Sequence, residues 1–415
     1  MAQILSWLKL DNVGKIFPST SSKRDTGVFR ISCDLCAPVQ CAPLQNALES
    51  TLKQFPHFLY ILRSGLFWYY LEASDLSPQV HQENRGVCAP LFNRNKHGLL
   101  FDVSYYHNRI NFEVYHALAD GTGAMQFFEH MICRYLAEVE VVDPELADQI
   151  SPAPVTERTE DGFRKYYEKV KQEKSLLPLH AYHFGGVKSE ELIITEGIMP
   201  CQEVLALAKG CGASLTVFLC AQLMLSVYED MQRLNQKRPV VFTIPVNLRN
   251  YFPSETARNF FGNIRVSYRF SKGEPSLQQL IESLSEAFQK ELTQEKLAGR
   301  ISRFMSAERN PIAKASPLLL KNFVLRIARR FSDMGETMVV SNVGVVKLPE
   351  QALRFVDHMS IFTGTSRLQI CICTCKDVLS IAFSSKFENQ DIQRRFFRRL
   401  TALGIPVQIK SNLTE

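Results

Sequence analysis

The change of period across residues 109–137 constrains this chain more than any other stretch does. In 109–116, Ile110, Phe112, Val114 and His116 alternate with Asn111 and Glu113, the pattern of a strand with two unlike faces. Beyond Gly121 and Gly123 the spacing switches: Ala124, Phe127, Phe128, Met131, Cys133 and Leu136 share one side of a helix over 122–137. A strand must therefore turn into a helix within the stretch HALADG, and the helix must pack back on a sheet. That places the chain among folds that mix helices and strands. The two glycines offer positive φ or close backbone approach at the reversal. His116 ends the strand, where catalytic groups are commonly held. By spacing alone it is either a cavity-facing base or a core histidine. Asp120 is likewise either its partner or the N-cap of the following helix.

With 415 residues, the chain exceeds what one hydrophobic core usually spans. Its 46% hydrophobic and 22% charged residues are those of a folded protein. A formal charge of +6 suits a phosphate-bearing ligand without demanding nucleic acid. The start, MAQILSWLKLDNVGK, lacks the order of a secretory signal. No apolar run is long enough to span a bilayer. The eleven cysteines are scattered and read as free thiols in a reducing cytoplasm. The expectation is a cytoplasmic monomer, with Asn412-Leu-Thr414 a chance match to a glycosylation site.

Strands are expected at 27–38, 99–106 and 109–116, with helices at 43–54 and 122–137 and an extended aromatic stretch at 58–71. Residues 143–190 are polar, charged and proline-bearing, as a connector would be. Beyond them, strands are expected at 191–196, 240–247, 258–270, 336–342, 358–363, 368–375 and 379–385. Helices are expected at 199–210, 214–233, 276–296, 318–331 and 389–403. The resulting division is 1–142, a connector at 143–190, and 191–415.

YHALADG resembles the HxxxDG signature of the CoA-dependent acyltransferase superfamily, which includes chloramphenicol acetyltransferase, the plant BAHD enzymes and the condensation domains of peptide synthetases. Other blocks accompany it in order: WLKLDNVGKIFP, FDVSYYHNRINFEVYH, PVNLRNYFPSETARNFFGN, SNVG and FFRRLTALGIPVQI. Together they look like the bacterial alcohol acetyltransferase-like branch. The resemblance implies two chloramphenicol-acetyltransferase-like α/β subdomains, each a mixed sheet flanked by helices, with the active site in a channel between them. Condensation domains carry a second histidine where this chain has Tyr115, so a free acyl-CoA donor is the closer match. The BAHD motif DFGWG is absent.

The implied activity is transfer of an acyl group, most simply acetyl, from CoA to a small or lipidic alcohol. His116 would be the general base in a ternary complex without a covalent acyl-enzyme. A neutral imidazole suits that proton transfer. The resemblance turns Asp120 away from His116 toward Arg249, as a structural pair beside Gly121. It also puts Asn263, Ser341 and Asn342 near the reaction centre as candidate oxyanion or substrate contacts. Polar turns between strands are the alternative for those three. No permanently bound cofactor is expected, acyl-CoA being a co-substrate. Two other readings stand beside this one: a donor carried on an acyl-carrier protein, with ester or amide product, and a non-catalytic binding protein.

Three further signals are set aside. Cys371, Cys373 and Cys375 share one strand face but spread over roughly 13 Å, and neither they nor Cys33 and Cys36 have a partner pair at zinc spacing. His180 and His183 precede two glycines and suit a crossover segment. The basic runs 326–330 and 394–399 are expected as solvated helix faces with buried aromatics; either is a candidate contact for CoA phosphates.

Overall fold

The structure is a computed structural model that describes residues 6–94, 97–150, 153–169, 180–232, 235–271 and 273–413. Parts of the connector (residues 151, 152 and 170–179) and Thr414 lie outside the described residues. The strands are Trp7–Lys9 (β1), Val28–Leu35 (β2), Tyr60–Ser64 (β3), Tyr69–Ala73 (β4), His81–Gln82 (β5), Phe101–Tyr106 (β6), Arg109–Tyr115 (β7), Lys188–Pro200 (β8), Val240–Asn247 (β9), Phe261–Tyr268 (β10), Met338–Val345 (β11), Val356–Thr363 (β12), Gln369–Cys375 (β13), Val378–Phe387 (β14) and Gln408–Ser411 (β15). They form a five-stranded sheet ordered β12-β2-β7-β6-β5, a seven-stranded sheet ordered β10-β9-β11-β13-β14-β8-β15, and a small sheet β1-β4-β3.

In the first sheet β7 pairs antiparallel with both β2 and β6, setting Phe112 opposite Ile31 and Val103. Phe112 stacks on Phe127 of the Gly121–Glu138 helix, with centroids 4.8 Å apart and planes 16° off parallel. The alternate face is polar yet also buried. There Arg30 donates to Glu113 at 2.9 Å, and Ser32 donates to Asn111 at 2.8 Å. Paired charges and hydrogen bonds make that burial tolerable.

The second sheet is mixed, since β11 runs parallel to β9 and β13 while the other pairs are antiparallel. β13 joins two cores. Ile370 and Ile372 belong to the core under the helices Leu215–Asp230 and Asp391–Ala402. Cys371, Cys373 and Cys375 belong to the core of the first sheet. Burial pushes the Cys371 and Cys375 thiols up to about 11, so they pack as small protonated apolar groups.

Three differences from the sequence expectation bear on the site. β12, drawn from the second half of the chain, pairs antiparallel with β2 along Ser360↔Ser32, so the halves of the sequence share a sheet. The helix expected over 276–296 is two helices. Leu277–Glu291 starts at a capping box of Ser276 and Gln279, and Gln294–Arg309 starts at Thr293, whose side chain accepts from the Lys296 amide. The strand expected over 258–270 starts only at Phe261. The residues before it form a loop, and Ala257 of that loop donates its N–H to the carbonyl of Arg158 in the connector.

Among the described residues no single helix is long and apolar enough to cross a membrane.

Candidate active site

His116 lies one residue past β7, where its amide donates to the carbonyl of Gly27 at 2.8 Å. Its ring stacks on Phe17, centroids 4.5 Å apart and planes within 7°. Phe29 and Phe261 flank it at 5.0 and 5.5 Å. This aromatic cage holds the imidazole in one plane. The Nδ1 atom lies 3.3 Å from Oδ1 of Asn259. The amide of Asn259 donates through Nδ2 to Oδ2 of Asp11 at 3.1 Å, which turns its oxygen toward His116. A carbonyl oxygen only accepts, so Nδ1 carries the proton and Nε2 keeps its lone pair. Asp11 is itself held by the Gly14 amide at 2.6 Å, with the Arg258 guanidinium 3.8 Å away. Burial lowers the pKa of His116 below its ordinary value near 6.5, with the charge of Asp120 opposing. The ring is therefore neutral at pH 7 and basic at Nε2.

Asp120 points away from that ring. Its Oδ1 accepts from the Gly123 amide at 2.8 Å, capping the Gly121–Glu138 helix. The same carboxylate takes a bidentate pair from Arg249, at 2.9 and 3.2 Å, and accepts from the Phe260 amide at 2.7 Å. The N-cap, one of the two readings on spacing, and the Arg249 ion pair, implied by the resemblance, coexist. Arg249 donates further to the carbonyls of Thr256 and Arg258. One planar, five-donor group thus ties the His116 turn to the loop that carries Asn259, a task a lysine's point charge would not perform.

The glycines divide the work unequally. Neither Gly121 nor Gly123 has positive φ. A Cβ on Gly121 would meet only a Val343 methyl at 3.8 Å, an ordinary contact, whereas one on Gly123 would fall 1.9 Å from the Ala257 carbonyl oxygen. The reversal needs close approach at Gly123 and no special conformation at Gly121. Gly123→Ala is expected to cost about 1–3 kcal/mol of stability by pushing the Ala257 loop off the helix. Gly121→Ala is expected to be near neutral. Urea midpoints of the two variants check the contrast.

A cavity of about 1290 Å³ is lined from both large sheets, and His116, Asp120, Gly121, Asn263, Ser341 and Asn342 all border it. Arg249 stands behind, against Asp120. Asn263 is exposed on β10. Asn342 is already engaged on both sides of its amide, donating to Thr216 Oγ at 2.9 Å and accepting from the Gly344 amide at 2.9 Å. Of the neighbours on β11, Ser341 is the one whose hydroxyl has no protein partner among the described residues. Arg329 of the 326–330 run also borders the cavity and pairs with Asp333 at 2.8 Å. In the 394–399 run, Arg395 and Arg399 pair with Asp230 and Glu229, and Phe396 and Phe397 are buried. Tyr115, at the second-histidine position, is buried with its hydroxyl 3.0 Å from Ser21 Oγ.

Asn259 and Asp11 are the residues that sequence reasoning passed over. Both lie inside the quoted blocks PVNLRNYFPSETARNFFGN and WLKLDNVGKIFP, where each has a polar neighbour, Arg258 or Asn12, and no local pattern marks it.

No protein-family model matches the sequence, and no curated protein matches it significantly. Solved structures do match. Fusarium graminearum TRI101, complexed with coenzyme A and T-2 mycotoxin, is similar over 97% of this chain and 99% of its own, at 11% identity and a TM-score of 0.66. Polyketide synthase associated protein 5 from Mycobacterium tuberculosis matches over 95% and 98%, at 14% identity and a TM-score of 0.61. This chain has the fold of the CoA-dependent acyltransferases and condensation domains. The first condensation domain of the CDA synthetase shares it as well, over 97% of both chains, at 16% identity and a TM-score of 0.59. The cavity around His116 runs between the two large sheets.

Proposed function

We propose that the protein is an acyltransferase that moves an acyl group, most simply acetyl, from CoA to the hydroxyl of a small or lipidic alcohol. One observation carries the reading: a neutral histidine, its Nδ1 proton committed to Asn259, on the wall of a cavity that reaches between two sheets. Nε2 of His116 takes the proton from the alcohol as its oxygen attacks the thioester carbonyl. The resulting oxyanion takes hydrogen bonds from donors such as the Ser341 hydroxyl and the Asn263 amide. Collapse breaks the carbon–sulfur bond, and the thiolate of CoA leaves with the proton from His116. Both substrates occupy the cavity together, so positioning supplies the rest of the acceleration and no acyl-enzyme is required. The CoA carried by TRI101 in its crystal structure supports the donor. Likeness to the CDA condensation domain supports a second reading, in which a carrier protein presents the acyl group. The same reading divides the chain at the 143–190 connector.

Release of free CoA thiol from acetyl-CoA in the presence of alcohols tests the first reading. Transfer from a loaded carrier alone would replace it with the second.

The pH dependence follows from the direction of the His116 shift. The base works when neutral and its pKa is lowered by burial, so kcat/KM should hold down to pH 6.5 and fall only below it. An acid limb centred above pH 7 would contradict the assignment. Asn259→Asp puts a carboxylate beside Nδ1, which favours the imidazolium, so the limb should move up by about 1–3 units. Asn259→Ala should lower kcat more than it changes KM, because it frees the tautomer without removing the base.

A further inference from the structure

The Leu318–Met334 helix buries a polar side chain and leaves its apolar stripe exposed. Asn322 is its buried residue. It accepts from Ser19 Oγ at 2.6 Å and donates to the Tyr69 hydroxyl at 3.0 Å. Leu319, Leu320, Phe323, Val324, Ile327 and Phe331 face outward, with Leu319 83% and Phe323 60% exposed. Their three- and four-residue steps make one stripe along the helix. Water favours the opposite arrangement, with the polar side out and the apolar side in. The expectation for the 326–330 run holds in part: Arg326, Arg329 and Arg330 are exposed, but the aromatic beside them is not buried, Phe331 being 58% exposed.

The apolar surface continues past the helix. Leu66 and Phe67, at the β3–β4 turn, are exposed and tied to it, since the Leu318 amide donates to the Leu66 carbonyl and Lys321 Nζ to the Phe67 carbonyl. Ile312, on the short Pro311–Ala315 helix just before it, is 78% exposed. A contiguous apolar patch of this kind marks an interaction surface.

Charge selects the partner. Over 310–334 the charged residues are Lys314, Lys321, Arg326, Arg329 and Arg330 against Asp333 alone. Beside Lys314 opens a second cavity of about 960 Å³, lined also by Lys9, Lys15, Arg164 and Arg309 against one carboxylate, Glu308, and by both of the chain's tryptophans, Trp7 and Trp68. Lys321 lies 3.4 Å from the centre of the Trp68 ring. An apolar stripe fringed by cations and amphipathic aromatics matches the boundary zone of an anionic bilayer, with side chains among the acyl ends and cations at the phosphates. A second copy of this chain fits poorly, because a two-fold contact would bring the basic fringes together.

We propose that this face docks on an anionic phospholipid surface, with the Leu318–Met334 helix lying flat in the interface. Arg329, Ser332 and Asp333 of that helix also border the cavity that holds His116. Docking therefore sets the cavity beside the bilayer, so that a substrate dissolved in the membrane reaches it without crossing water. Only this last consequence rests on the proposed acyl transfer; the docking does not.

Flotation of the full chain with vesicles of phosphatidylcholine, with and without phosphatidylserine, tests the docking. Binding is expected on the phosphatidylserine vesicles and should weaken as salt rises. Phe323→Ser combined with Ile327→Ser touches exposed positions outside the catalytic cavity and should leave the melting curve unchanged. It should lower vesicle partition by about tenfold or more. Lys314→Glu with Arg330→Glu should weaken binding to the anionic vesicles. Three results would overturn the proposal: no flotation with either vesicle, binding that survives the serine pair, or a concentration-dependent dimer that the serine pair turns into monomer.

Discussion

His116→Ala is expected to lower the turnover of acyl-CoA with an alcohol by about 10²–10⁴-fold, the usual contribution of a positioned general base. KM for both substrates should change little. The imidazole acts on a proton in transit, and the cavity walls that hold the substrates are otherwise untouched. Stability should fall modestly through loss of the stack on Phe17 and the contacts with Phe29 and Phe261. His116→Gln separates the two effects, since it keeps much of the volume and a polar end but offers no base. Both variants should therefore lose turnover alike, while glutamine keeps more of the thermal midpoint. Wild-type turnover in the alanine variant would remove His116 from the chemistry and favour a binding protein on the same fold.

How far the sequence discloses this site depends on the range of each interaction. The strand, turn and helix around His116 are legible because periodicity is local: Ile110, Phe112 and Val114 alternate, and Phe127 and Phe128 follow at helical spacing. The Asp120–Arg249 contact spans 129 residues. No periodicity encodes it, and only the resemblance of HALADG and PVNLR to known blocks reaches it. The partnership of Asn259 with His116 is less accessible still. A strand expected from residue 258 puts Asn259 in a regular ladder, whereas the guanidinium of Arg249 gathers the carbonyls of Thr256 and Arg258 and keeps that stretch a loop. β12 fails to announce itself for a similar reason. Its alternation says strand, but which sheet it joins is decided by Ser32 and its neighbours in β2, more than three hundred residues earlier in the chain. The outward stripe on the Leu318–Met334 helix is legible as amphipathic, yet the sequence is silent on which side faces the protein, because Asn322 finds its partners Ser19 and Tyr69 only in the fold.

Arg249→Leu is expected to be the most destabilising single change at the site, costing about 3–5 kcal/mol. It leaves the carboxylate of Asp120, 4% exposed, without its counter-charge, and strips the donors from the carbonyls of Thr256 and Arg258. Asp120→Asn should cost less, because it leaves no unpaired carboxylate buried and Arg249 keeps the carbonyls of Thr256 and Arg258, although the single amide oxygen can accept from the Gly123 or the Phe260 amide but not from both. Replacing both partners by leucine should recover part of the loss, since no isolated charge stays buried. Arg249→Leu, Asp120→Leu and the double leucine variant form, with the wild type, a cycle whose coupling energy reads the pair directly. Activity distinguishes a scaffold from a dyad. If the pair holds the 256–260 loop, kcat should stay low in the double variant even where stability returns, because Asn259 has lost its anchor. The acid limb of kcat/KM should then remain below pH 6.5, since burial rather than Asp120 lowers the His116 pKa. If Asp120 instead oriented the ring, Asp120→Asn alone would match the kinetic loss of Arg249→Leu while sparing its stability.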